Sequence, residues 1–253
     1  MKISVIGSGN VATTLSVALS QFNTIDAVCS STANHAQKLA QRVGAMAVAA
    51  VENMPVDSDL YLIMVSDNAV ENVAAKLPQV RGVVAHTAGS INMNVLQRFD
   101  NHGVFYPMQS FTAGRQINTS TIPFCIEASS QMVEQQLVEL AKQLSPTVML
   151  MSSAQRVQCH LAAVFSSNFV NHMYAAAAHI MQNANLPFNM LRPLLVETLD
   201  KAFALGPDVA QTGPARRGDT VVTNRQREAL PTADLQKMYS FVTESIMKKY
   251  GKL

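Results

Sequence analysis

Lys2-Ile3-Ser4-Val5-Ile6-Gly7-Ser8-Gly9-Asn10-Val11-Ala12 opens the chain, and its reading decides the rest. A short apolar run enters a GxGxxA turn, and a helical pattern follows from 10 to about 20. Gly7 permits the tight turn. Gly9 lets backbone approach a pyrophosphate with no Cβ in the way, and Ala12 lets the helix pack closely on the strand. The helix N-terminus offers unpaired N–H groups and partial positive charge, so Gly7, Ser8, Gly9, Asn10 and Val11 are expected to hold the phosphates of a dinucleotide.

Outward from this turn, apolar runs alternate with helical patterns. Strands are expected at 2–6, 25–29, 47–48, 60–65, 82–85, 103–106, 123–127 and 147–151. Helices are expected at 34–43, 68–77, 91–99 and 132–144. The strand runs are continuously apolar, which predicts a doubly wound α/β domain with a mostly parallel sheet covered on both faces. After Ser152 the texture changes: from Ala154 to about Asn183 the chain is Ala-rich, free of Gly and Pro, and expected to form one long helix. Further helices are expected at 191–205 and 232–249, joined by a Gly/Pro/Arg-rich connection at 206–219. This divides the chain into a dinucleotide domain (1–152) and an all-α domain (153–253), with the cleft between them as the expected active site.

Composition narrows the function. Of 253 residues 48% are hydrophobic and 14% charged, with a net charge of +2. Average chains carry about 25% charged residues. So balanced a chain lacks the footprint of a nucleic-acid or membrane-surface protein. Cys29, Cys125 and Cys159 form no CxxC pair, which argues against a zinc cage and for free thiols in a reducing cytoplasm; with a strand expected from the start of the sequence, no secretory leader is expected. The apolar stretch 161–181 holds Asn168, Asn171, His172 and His179, too polar for lipid. The methionines are expected to fill the core and a helical interface.

Ligands of open parallel sheets sit beyond the carboxyl ends of the strands. At the second strand's end stand Ser30, Ser31 and Thr32, with Asn34, His35 and Lys38 following, whereas Asp26 begins that strand. Small hydroxyls near a cation accept a 2′-phosphate that a carboxylate would repel, so NADP is expected rather than NAD. Val65 and Ser66, and Thr87, Ala88 and Gly89, continue the cofactor surface; Ser66-Asp67 also reads as a helix N-cap. His86 is either a satisfied strand-end histidine or a group facing the nicotinamide, and Gln109 and Ser110 could line a pocket. His160 and Asn168, about 80° apart on one helix, are either a buried hydrogen-bonded pair or an acid with its orienting donor. In 212–219 (TGPARRGD), Arg217 is the candidate for a substrate carboxylate, with Asp219 fixing it; the alternative is a solvated connector.

Several runs together, GSGNVA (7–12), LIMVSDNAV (62–70), VVAHTAGS (83–90) with the segment containing Leu96, YPMQSF (106–111), CHLAAVFSSNF (159–169) and TGPARRGD, resemble the Rossmann-like NADP oxidoreductases with a C-terminal helical domain of unknown function. That group is related to pyrroline-5-carboxylate reductase and 6-phosphogluconate dehydrogenase. The resemblance implies a Rossmann domain, a helical domain and a homodimer built through the helical part. Related hydroxyacid dehydrogenases carry a lysine four residues before a helix asparagine, where this chain has Val164. The expected activity is hydride transfer between NADP(H) and a small C=O or C=N substrate, with His160 as general acid. A non-catalytic NADP-binding dimer, acting as a sensor, is the alternative.

Overall fold

A computed structural model describes all residues, Met1–Leu253. The chain divides into two compact units, Met1–Ser167 and Asn168–Leu253. The first is built on eight strands, β1 (Lys2–Ile6), β2 (Thr24–Cys29), β3 (Met46–Val48), β4 (Leu60–Ile63), β5 (Val83–His86), β6 (His102–Pro107), β7 (Phe124–Ala128) and β8 (Val148–Leu150). Their spatial order is β3-β2-β1-β4-β5-β6-β7-β8. Every pairing is parallel except β6 with β7. The sheet therefore reverses its winding between β1 and β4, and at such a switch point a crevice opens beyond the strand ends.

Continuous apolar strands follow from burial on both faces. Along β4, Leu60 and Leu62 join a core under α1 (Asn10–Leu19), α2 (Ala33–Val43) and α4 (Gln131–Leu144), through Leu15, Leu39 and Leu137. The alternate residues Tyr61 and Ile63 point to a second core under α3 (Val70–Lys76), with Val70, Ala74, Leu96 and Phe99. Period-two alternation thus places each neighbour on the opposite side, and both sides are apolar.

The segment 91–99 is not the expected helix. Only a 3₁₀ turn forms, Met93–Leu96. The Asn92 side chain caps it by accepting from Asn94 N–H, and the Ile91 carbonyl accepts from the Arg156 guanidinium. The backbone bonds that follow, Gln97 N–H to the Asn94 carbonyl and Phe99 N–H to the Leu96 carbonyl, span three residues, so the segment stays in tight turns instead of continuing as an α-helix.

The long helix starts where expected but is interrupted. Ser152 and Gln155 form a capping box for α5 (Ser153–Ala163), a π-helical turn occupies Val164–Phe169, and α6 runs Val170–Asn183. The compact units divide inside this interruption rather than at Ser152. α5 belongs with the sheet because Arg156, fully buried on it, pairs with Glu127 of β7.

The second unit continues with α7 (Arg192–Leu205), α8 (Pro207–Ala210), α9 (Pro214–Arg217), α10 (Thr220–Glu228) and α11 (Ala233–Lys249). The expected connection at 206–219 thus contains two single helical turns, each opened by a proline at its first position. α10 has no apolar stripe to announce it; Asp219, accepting from Val222 N–H, starts it. No helix is long and apolar enough to cross a membrane.

Candidate active site

At the sheet's switch point a cleft of about 1020 Å³ opens within the first unit. Gly7, Ser8, Gly9, Asn10 and Val11 line it from the β1–α1 turn; Ser30, Ser31 and Thr32 from the end of β2; Val65 and Ser66 after β4; and Thr87, Ala88 and Gly89 after β5. His160 lines it too. These expected cofactor and acid residues, scattered along the chain, meet in one cavity.

The turn behaves as its glycines require. Gly7 has φ +122°, and a Cβ there would lie 2.1 Å from the Met64 carbonyl oxygen, so β4 itself forbids a side chain. Gly9 is the opposite case: a Cβ would meet nothing within 4 Å, because the space above it is the cleft. Gly9 is also the N-cap of α1, without a side-chain cap and with no acidic residue in the first turn. The orphan N–H groups and the positive end of the helix dipole are left for an anion. This donor set and this cradle fit a dinucleotide pyrophosphate.

Ser8 and Ser30 hydroxyls bond at 2.7 Å, joining the turn to the end of β2. Asp26 is at the other end of the sheet, where it accepts from the Ser58 hydroxyl and lies 3.6 Å from Lys2. His35 lines the cleft beside Thr32, while Lys38 does not. Glu52 and Lys76, 3.9 Å apart, also line it, and neither was anticipated from sequence. Ser66 sits at the N-cap position of a 3₁₀ turn, but its hydroxyl donates to Asn68 rather than capping.

Tyr106, the penultimate residue of β6, was not among the candidates and is central. Its hydroxyl lies 3.0 Å from His160 Nδ1, and the rings meet edge to face at 5.8 Å. Burial, with Cys125 and Cys159 adding, pushes the phenol up to about 12, so it keeps its proton. Gly89 makes this contact possible, since a Cβ there would fall 2.5 Å from His160 Nδ1 and 2.9 Å from Tyr106 Cζ. Asn10 donates to the Phe111 carbonyl at 3.0 Å, and Gln109 and Phe111 complete the wall near this pair.

His86 does not line the cleft. It is fully buried, and its Nδ1 accepts from Ala88 N–H at 3.2 Å. Burial, aided by the Arg156 charge, pulls its pKa down to about 4. The unfolded chain takes up this proton below about pH 6.5 while the folded protein refuses it until about 4. Stability is therefore complete above 6.5 and falls as the pH drops toward 4, by about 3 kcal/mol in all. Urea melts at pH 4.5 and 7 should show most of this difference, and His86→Asn should abolish most of it.

Asn168, Arg217 and Asp219 belong to the second unit. Asn168 and Arg217 are exposed. The expected Arg217–Asp219 clamp does not form: the Asp219 carboxylate caps α10. Arg216 rather than Arg217 is the structural arginine, donating to the Val209 and Gln211 carbonyls and stacking 4.9 Å over the Tyr250 ring.

Comparison with known proteins places this architecture. Residues 1–109 match a Rossmann-like domain, and residues 122–246 match a domain of unknown function, DUF2520. A protein of Bacteroides fragilis, provisionally named an NADP oxidoreductase, is 38% identical over 98% of both chains, with a TM-score of 0.89. The chain belongs to this Rossmann-like, DUF2520 family. Fold likeness extends to a reductive aminase from Aspergillus terreus solved with NADPH, cyclohexanone and allyl amine (TM-score 0.76, 17% identity, 98% and 94% of the two chains). It extends also to 1-pyrroline-5-carboxylate reductase from Streptococcus pyogenes (TM-score 0.64, 16% identity, 100% and 99%). No curated protein matches the sequence.

Proposed function

We propose that this DUF2520-family protein is an NADP-dependent oxidoreductase that reduces a small C=O or C=N compound. The observation that carries the reading is the placement of the Tyr106–His160 pair in the same cleft as the glycine turn. A sensor needs the turn but has no use for a proton donor beside it.

Gly7–Val11 would hold the pyrophosphate, and Ser30, Ser31, Thr32 and His35 the ribose 2′-phosphate. Bound NADPH supplies the hydride. The protein's task is to deliver the proton that accompanies it and to orient the acceptor. Tyr106 meets His160 Nδ1 in either protonation state, donating to the neutral ring and accepting from the imidazolium. In the imidazolium, whose Nδ1–H is held by the Tyr106 oxygen, Nε2 is left to pass its proton to the substrate oxygen or nitrogen, and the ring becomes neutral. In the second unit Asn168 and Arg217 remain available as a hydrogen-bond donor and a carboxylate partner. Asp219 is withdrawn, because it caps a helix.

The reading includes a homodimer formed through the helical unit, supported by large apolar side chains such as Phe203, 85% exposed, and Phe241, 76% exposed. It also places the protein in the cytoplasm, supported by three unpaired cysteines. NADPH oxidation should be followed across a panel of keto acids, aldehydes and cyclic imines. Once a substrate is found, His160→Ala should lower kcat by about 10²–10⁴-fold while leaving NADPH affinity intact. Unchanged turnover in this variant would remove His160 from the chemistry.

A further inference from the structure

Behind the Tyr106–His160 pair lies a group of sulfur atoms that the reduction does not use. Cys125 on β7 stands directly opposite Tyr106 in the antiparallel register with β6. Opposed residues of an antiparallel pair share a face of the sheet. Tyr106, Cys125 and Met108 accordingly pack in one cluster with Met93 and Met151. α5 reaches the same cluster: His160 bonds Tyr106, and the preceding residue, Cys159, brings its Sγ to 3.2 Å from Met108 Sδ. Cys159 is partly exposed and Cys125 is 1% exposed. Burial pushes the Cys125 thiol up to about 11, with Cys159 adding to the shift.

We propose that Cys125 and Cys159 are a peroxide-sensitive thiol pair that closes into a reversible disulfide beside the proton-donating pair. The roles follow from access. Cys159, open to small solutes, is the attacking thiol; Cys125, buried and protonated, resolves. The Cys159 thiolate attacks one oxygen of hydrogen peroxide, the O–O bond breaks, and hydroxide leaves to become water. Cys125 then gives up its proton and attacks the Cys159 sulfur of the sulfenic acid, and the S–O bond breaks with loss of a second water. Two thiols lose two electrons and two protons, and one peroxide becomes two waters. A dithiol reductant reverses the bond by exchange. Because Cys159 adjoins His160 and Cys125 faces Tyr106, drawing the sulfurs together displaces the 3.0 Å contact between those two side chains. This functional consequence rests on the reductase reading; formation of the bond does not.

The test is peptide mass mapping of the full-length protein under non-reducing conditions, after hydrogen peroxide and alkylation of the remaining thiols. The expected result is a loss of two of the three thiols, a linked Cys125–Cys159 peptide reversed by dithiothreitol, and free Cys29. Cys125→Ala should leave Cys159 as a sulfenic acid that dimedone traps, and Cys159→Ala should leave Cys125 reduced. Cys159 oxidised past the sulfenic stage with no linked peptide, a link between two chains, or oxidation confined to Met108 would each overturn the proposal. NADPH turnover measured on the linked form separates the two claims: the link without a fall of at least about tenfold in rate would overturn the coupling to the Tyr106–His160 pair. Failure to find any substrate would strike the reductase reading and leave the mapped bond standing.

Discussion

Arg156→Ala is expected to destabilise the first unit by about 3–5 kcal/mol. The guanidinium is wholly buried, pairing with the Glu127 carboxylate and donating to the Ile91 carbonyl and the Ser153 hydroxyl. Glu127 in turn accepts from the Ser153 N–H at 2.8 Å and from its hydroxyl. One side chain thus joins the start of α5, the end of β7 and the segment before the Met93–Leu96 turn. Removing it leaves a largely buried carboxylate without its cation and the Ile91 carbonyl without its donor, and the resulting desolvation cost sets the size of the effect. Urea denaturation followed by circular dichroism measures it. The double variant Arg156→Met, Glu127→Gln should recover a substantial part, since no lone buried charge remains. A loss below about 1 kcal/mol, the range of surface pairs, would show that α5 is held mainly by other contacts.

Gly9→Val separates folding from binding. Valine tolerates the extended backbone at this position, φ −71° and ψ −171°, and its Cβ enters open space. The variant should fold with little change in stability. Its side chain nevertheless fills the cradle in which the reading seats a pyrophosphate, so NADPH affinity should fall at least about 100-fold, about 2.7 kcal/mol. Gly7→Ala provides the contrast: its Cβ is driven against the Met64 carbonyl, and the expected damage is to the fold itself. Titration of nicotinamide fluorescence, with a melt of each variant alongside, distinguishes the two outcomes.

Local features carried well from sequence to structure. The glycine turn, β1, β2 and β4 were legible because a compact turn and a continuous apolar run are properties of neighbouring residues. The cofactor wall followed, since strand ends in a parallel sheet converge by topology. Features that depend on distant contacts did not carry. Tyr106 and His160 are 54 residues apart, and what brings Tyr106 beside Cys125 is the antiparallel pairing of β6 with β7. Arg156 reads as an ordinary helix residue until Glu127 is found opposite it. A readable signal was missed at Ser152-Ser153-Ala154-Gln155, whose spacing is that of a capping box. Arg217 and Asp219 were paired by proximity in the chain, but α9 ends at Arg217, Gly218 turns the backbone through the left-handed region (φ +74°), and Asp219 is drawn to the N-cap of α10 instead.

Whether the backbone at the start of α1 seats the diphosphate of NADPH can be seen in a crystal of the full chain grown with saturating NADPH. Density is expected for the diphosphate against the N–H groups after Gly9, with the 2′-phosphate beside Ser30–Thr32. A turn left bare under saturating cofactor, or NADPH lodged elsewhere on the protein, would contradict it.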